Sequence, residues 1–399
     1  MCNNFSIIDK LERIRKSGIR DVFTPSTPVH HNFFCGREEE VDRILTAIVS
    51  SRSHILLYGD RGVGKTSLAQ FVSGILVNRN YQERCIEYRC GRTDTFGSIM
   101  SGIFQKLNIS VPVSRSITRG TSGDMSILGA THGTTEEVQV YSNFDTPSWI
   151  VEKLSGENAV ITIDEFDTIP LKEDKEKFSQ LIKMLSDAHS PCILMIVGIA
   201  LSAAELLEGH LSVSRSLAEI SLPRMNEAEL EDIINKGEER TGLQFDADVK
   251  SEIVQKSMGF PYFTHLLALK AAEEAVVSDV RVISHAIFLS GLKSAINNIE
   301  QTLKDTYEYV TGDNSLKKNI LYCASLIGDG SFRASTLRDK YQEVFGEPIE
   351  QLQVNNSISK ALSDTPDTML RKVRKGVYYF NDPRMPIYIS MRYAAEKET

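Results

Sequence analysis

GDRGVGKT, residues Gly59 to Thr66, constrains this chain more than any other stretch. It fits the pattern G-x-x-x-x-G-K-[ST] and lies between the apolar run Ile55 to Tyr58 and the helical pattern SLAQFVSGIL. Glycines at these positions let the backbone curl into a ring of N–H donors at a helix N-terminus, where a polyphosphate is stabilised. Lys65 then reaches the β- and γ-phosphates and Thr66 ligates Mg2+. The expected nucleotide-binding residues are Gly59, Asp60, Arg61, Gly62, Val63, Gly64, Lys65, Thr66 and Ser67.

A strand must enter such a loop and a helix must leave it. The runs HILLYG, RCIEYRC, AVITIDE and CILMIVG are short enough to be buried strands, with helical patterns between them, so an α/β fold with a parallel sheet covered on both faces is expected. At 399 residues the chain has room for two or three domains. Residues 1–35 read as a short amphipathic helix (Ile7, Ile8, Leu11, Ile14) and an extended segment held open by two prolines. The P-loop core spans 36–225, interrupted at 111–144 by a Ser-, Thr- and Gly-rich insertion. Capped helical patterns over 226–312 predict a helical lid. In 313–399, three helices precede MLRKVRKGVYYFNDPRMPIYISMRY, read as an alternating strand pair joined through Lys375 and Gly376; together they make a winged helix.

About 100 residues after the loop, AVITIDEFD brings an apolar run to Asp164 and Glu165 at a strand's C-terminal end, where open parallel sheets bind ligands. Asp164 is expected to hold Mg2+ through water and Glu165 to deprotonate the attacking water. Asp167 is either a supporting residue or a solvated loop aspartate. The guanine-reading pattern N-K-x-D is absent, since NKGE at Asn235 to Glu238 lacks its aspartate, which favours adenine.

Charge and cysteine use narrow the remaining classes. The net charge of -8 argues against a general nucleic-acid coat, although a local basic face stays open. The six cysteines are scattered, and Cys85 and Cys90 fall on opposite faces of a strand, so neither a zinc site nor a disulfide framework follows. No stretch approaches 18 consecutive uncharged apolar residues, which predicts a soluble, cytoplasmic protein without membrane partners.

The series FFCGREEE, GDRGVGKT, ITIDEFD, VSRSL and GFPYF, followed by the winged helix, resembles the AAA+-related ATPases around the STAND class and the archaeal and eukaryotic Orc1/Cdc6 initiators, over about residues 20 to 395. The resemblance implies an ASCE/AAA+-like P-loop fold that binds ATP or ADP with Mg2+ and hydrolyses ATP to ADP and phosphate. It implies that Phe34, Gly36 and Arg37 lie against adenine, with Pro261 packing on the base from the lid and Phe23 as a further wall. Arg215 matches the arginine that reaches a γ-phosphate, often from a neighbouring subunit; Arg224 competes for that role. Lys65, Glu165 and Arg215 are thus the expected catalytic residues. Two departures point to slow or partner-stimulated turnover. CILMIVGIALS lacks the usual asparagine or threonine beside the γ-phosphate, with only Ser202 nearby, and the lid arginine is replaced by proline and aromatics, with His265 one turn on.

The implied function is a nucleotide-dependent switch that self-associates and acts on an effector or regulated partner protein, in a setting such as bacterial anti-phage defence. The alternative is an initiator-like or transposition-regulator-like ATPase that binds DNA through the winged helix. From Ser315 to Thr399 there are 13 Lys or Arg against 10 Asp or Glu. IEQLQVNNSISKALSDT offers amides and only Lys360, whereas RKVRKG supplies Arg371, Lys372, Arg374 and Lys375.

Overall fold

The structure, a computed structural model, describes residues 3–25, 27–28, 33–79, 84–110, 145–200, 202, 215–327, 331–362, 368–374 and 376–397. The insertion expected at 111–144 lies outside them. In chain order the first elements are α1 (Asn3–Ser17), α2 (Ile19–Val22), α3 (Glu38–Val49), β1 (His54–Gly59), α4 (Lys65–Asn78), β2 (Arg84–Arg89) and α5 (Phe96–Leu107). Next come α6 (Pro147–Leu154), β3 (Ala159–Asp164), α7 (Lys172–Asp187), β4 (Ile193–Ile199), β5 (Leu217–Ser221), α8 (Glu227–Thr241), β6 (Gln244–Phe245), α9 (Ala247–Ser257) and α10 (Pro261–Val277). The chain continues through β7 (Val282–Ile283), α11 (His285–Asn297), α12 (Gln301–Thr311), α13 (Ser315–Ser325), β8 (Ser331–Arg333), α14 (Ala334–Phe345) and α15 (Gln351–Ala361). It ends with β9 (Leu370–Arg374), β10 (Val377–Phe380) and α16 (Met385–Lys397).

Two compact units divide these elements: Arg43–Tyr58 with Ser73–Ile220, and Met1–Asp42 with Gly59–Val72 and Ser221–Thr399. The first holds a five-stranded sheet of order β2-β3-β4-β1-β5. β3 pairs in parallel with β2, Val160 opposite Cys85, and with β4, Ile161 opposite Leu194. Every residue of β3 is buried, as a central parallel strand covered on both faces must be. Phe96, Ile103 and Phe104 of α5, Ile150 of α6 and Phe178 and Ile182 of α7 pack with Ile161, Ile163 and Leu194 into one core. β4 alone separates β1 from β3, so the strand that enters the glycine loop and the strand that ends in the acidic pair are one strand apart.

The second unit is mostly helical. Its phosphate loop, residues 59–64, is grouped with the lid and not with the sheet, a division that cuts across the 36–225 core expected from sequence. Between α8 and α11 a two-residue parallel pair, β6 with β7, ties the lid's turns together. The C-terminal elements run α13, β8, α14, α15, β9, β10, with β10 antiparallel to both β8 and β9. The alternating pattern correctly places strands on either side of Gly376, but it does not continue: Met385–Lys397 is a helix. Ile387, Ile389 and Met391 imitate a period of two, yet Pro386 and Tyr388 between them are buried as well, because that helix is covered nearly all round. Ile14 of α1 is buried while Ile8 and Leu11 are about half exposed, so only part of its apolar pattern finds a core. No helix among the described residues is long and apolar enough to cross a membrane.

Candidate functional site

β1 is buried up to Leu57 and ends on Gly59, where the chain turns. Gly59, Gly62 and Gly64 have φ of 152°, 87° and 97°, in the region that favours glycine. A Cβ on Gly59 would lie 2.5 Å from the Leu222 carbonyl oxygen, so the loop passes there only without a side chain. It opens α4 at Lys65, so the positive end of a helix dipole, which favours an anion, follows the loop directly. Lys65 is 8% exposed, and its ammonium donates to the carbonyls of Gly59 at 3.0 Å and Asp60 at 2.8 Å. The lysine thus curls over the loop, its charge set among carbonyl dipoles.

The same unit encloses this loop. A Cβ on Gly64 would meet Pro261 Cγ at 3.8 Å, and one on Gly62 would meet Phe260 and Tyr262 at 3.7 Å, so the first residues of α10 lie on the loop itself. Arg37, buried and at φ 67°, donates to the carbonyls of Pro223 at 2.7 Å and Val63 at 3.3 Å and pairs with Glu40. Burial pulls its pKa below the ordinary value, against the opposing pull of Glu40 and Glu229. The Arg37 backbone N–H donates to Glu229 on α8, and a Cβ on Gly36 would come within 2.8 Å of that carboxylate. The Gly-Arg-Glu turn is therefore a clasp joining the phosphate loop, the segment at Pro223 and the lid. Phe34 is half-buried and stacked on Phe71 of α4, with ring centroids 4.2 Å apart.

Phe23, expected beside the base, is instead fully buried in the lid, filling the space beside Gly237 and meeting Phe245 edge-on. His265 is buried with it; its Nδ1 accepts from the Thr24 N–H at 3.3 Å, and burial lowers its pKa to about 4, so it stays neutral in the core. The two arginine candidates differ. Arg224 is held within its own unit, 3.6 Å from the Asp60 carboxylate and 4.6 Å above the Phe260 ring. Arg215 is exposed just before β5.

In the other unit, β3 delivers Asp164, 3% exposed, whose Oδ1 accepts the Glu165 N–H at 2.9 Å. Glu165 has φ 55° and aims its carboxylate at Arg89, at 2.5 Å. Asp167 accepts the Ile199 N–H at 2.7 Å and so fastens the turn after β3 to the end of β4. The partly exposed Ile199 stands at the end of β4, and the nearby Ser202 is exposed. Cys90 lies beside this acidic group, and burial, reinforced by Asp94 and Asp164, pushes its pKa to about 12, which leaves it an inert thiol. Sequence reasoning missed Arg89, although it ends β2 in register with Asp164. It also missed Glu229, whose signal was the capping box it forms with Asn226.

The model of the family described as novel STAND NTPase 1 matches residues 23–274, which include the glycine loop, the acidic pair and the GFPYF lid start. The chain belongs to this family. The chain is also similar to an ORC1-type DNA replication protein of Methanocorpusculum labreanum, 25% identical over 346 residues that cover 82% of the chain and 77% of the relative. Its fold is similar to that of the Aeropyrum pernix ORC1 protein solved with DNA, with a TM-score of 0.50 at 19% identity over 94% of this chain and 96% of that one. The Aeropyrum pernix ORC2 protein, solved as ADPNP-ADP complexes, gives 0.53 at 15% identity over 95% and 98%. The chain is thus a P-loop NTPase of the STAND class with a fold like that of the ORC1-type proteins.

Proposed function

We propose that this ATPase is a nucleotide-dependent assembly switch that binds ATP or ADP tightly, hydrolyses ATP slowly, and acts on a partner protein. The observation that carries the reading is the contrast between an enclosed phosphate loop and a Glu165 carboxylate engaged by Arg89. The loop's N–H groups and Lys65 hold the phosphates, and Glu165 takes the proton of the attacking water once it leaves Arg89. Phe34 and Pro261 are the apolar surfaces we assign to adenine. The Thr66 hydroxyl and the Asp164 carboxylate are the hard oxygen donors we assign to Mg2+. When bound, Mg2+ supplies charge neutralisation to the phosphates. Arg215, exposed and outside the clasp, is the arginine we assign to a neighbouring copy's γ-phosphate, which couples hydrolysis to assembly.

Mass measured by light scattering with ADP, ATP and a non-hydrolysable analogue tests the reading. We expect ATP and its analogue to raise the mass of the Glu165→Gln variant above its ADP value; one mass under all three conditions would sink it. We assign the switch to a bacterial conflict system, a reading the likeness to STAND proteins supports, and protection of a phage-challenged host, lost in Lys65→Ala, is the assay that tests it.

A second reading, DNA binding by the C-terminal elements as a winged helix, is favoured by the exposed Arg371 and Lys372 on β9 and by the ORC1-type relative. It predicts affinity for duplex DNA that falls steeply with salt. Absence of binding at roughly 100 mM salt would exclude it.

A further inference from the structure

The turn before α16 places a charge network against the phosphate loop. Arg384 is 7% exposed at its side chain, and a Cβ on Gly62 would lie 3.8 Å from its Cδ, so its stem covers the loop. Asp382 fixes the guanidinium, accepting from Nε at 3.0 Å and from Nη2 at 2.6 Å. The remaining nitrogen, Nη1, pairs with Glu300 Oε2 at 2.8 Å. The other oxygen of Glu300 lies 3.5 Å from Arg61 of the phosphate loop. One carboxylate at the start of α12 therefore bridges two guanidiniums, one of them on the phosphate loop and the other covering it.

Two guanidiniums around one pair of oxygens is also how phosphate is recognised, because the planar fork matches carboxylate and phosphate alike. Arg384 stays paired with Asp382 through Nε and Nη2 when Glu300 leaves, so Nη1 is the nitrogen open to another anion. Glu300, by contrast, is partly exposed and can be hydrated when it leaves. We propose that Glu300 is a built-in competitor of the nucleotide's phosphates: it holds Arg61 and Arg384 until a polyphosphate takes its place, and Arg384 then becomes a phosphate ligand supplied by the C-terminal segment. Displacing Glu300 frees the start of α12, so nucleotide occupancy is reported to the helices that follow. The proposal rests on the nucleotide reading above and deepens it.

Titration calorimetry of the full chain with ATP and with ADP tests it. Removing the competing charge with Glu300→Gln tightens both nucleotides by about tenfold, and Arg384→Gln weakens both by about tenfold. Arg384 is buried, so its variant is first checked by circular dichroism and melting. If it does not fold, Glu300→Gln decides alone, because a half-exposed carboxamide is tolerated. Glu300→Gln binding no tighter than the parent, while Lys65→Ala binds far more weakly, overturns this proposal and leaves the nucleotide reading intact. Lys65→Ala binding as tightly as the parent removes the nucleotide reading itself.

Discussion

Lys65 and Glu165 sit at opposite extremes of enclosure. Lys65 is 8% exposed and hydrogen-bonded to the backbone of its own loop, whereas the side chain of Glu165 is 41% exposed and paired with Arg89, itself 66% exposed. Around the loop, Arg37, Leu222, Phe260 and Pro261 leave little freedom: one backbone contact already forbids a side chain at Gly59. The backbone of Glu165 is held by Asp164 and Thr168, but among the described residues its carboxylate is restrained by a surface ion pair with Arg89, and such pairs contribute about 0 to 1 kcal/mol. On the proposed reading, phosphate binding is built into the packing, while Glu165 is held from the attacking water by an interaction weak enough to be switched.

That contrast breaks most sharply at Lys65. Lys65→Ala is expected to weaken ATP binding by roughly 100-fold or more, since charge-assisted bonds to phosphate contribute about 1.5 to 3 kcal/mol each; calorimetry that finds less than a fivefold loss would contradict it. Glu165→Gln should lower the single-turnover rate of hydrolysis by about 100-fold, the usual worth of a general base, while ATP affinity stays within about threefold. Equal loss of binding in both variants would erase the distinction between the two regions. Gly36→Ala places a Cβ against Glu229 at a φ of 65° and should cost about 1 to 2 kcal/mol of stability, read as a lowered melting temperature. The smallest effect belongs to Arg89→Ala, which frees Glu165. Basal hydrolysis should rise by up to about fivefold, the equivalent of one surface pair, and a fall to the level of Glu165→Gln would mean that Arg89 positions the base instead of diverting it.

The strands and the glycine loop were legible because their signals are local. β1, β3 and β4 carry apolar runs, and the spacing from Gly59 to Thr66 carries its own chemistry. The clasp was not legible, because Arg37 meets Glu229 across 192 residues and nothing near either residue announces the other. Phe23 was misplaced for a related reason: an aromatic suits a base pocket and a lid core equally, and only the space beside Gly237 decides between them. The helix Met385–Lys397 deceived the pattern because it is buried on nearly every side, so no stripe of polar residues marks its period. The three-residue strand β8 is too short for any alternation to register.

The central claim, an enclosed nucleotide whose hydrolysis waits for a neighbour, is tested most directly by mixing two inactive variants. Arg215→Ala keeps its base and lacks the arginine offered to a neighbour; Glu165→Gln keeps the arginine and lacks the base. We predict that the parent's ATPase rate per protomer rises with protein concentration, that each variant alone is slow, and that mixing them restores a substantial fraction of the parent rate. A parent rate per protomer independent of concentration, with no recovery on mixing, would contradict the claim.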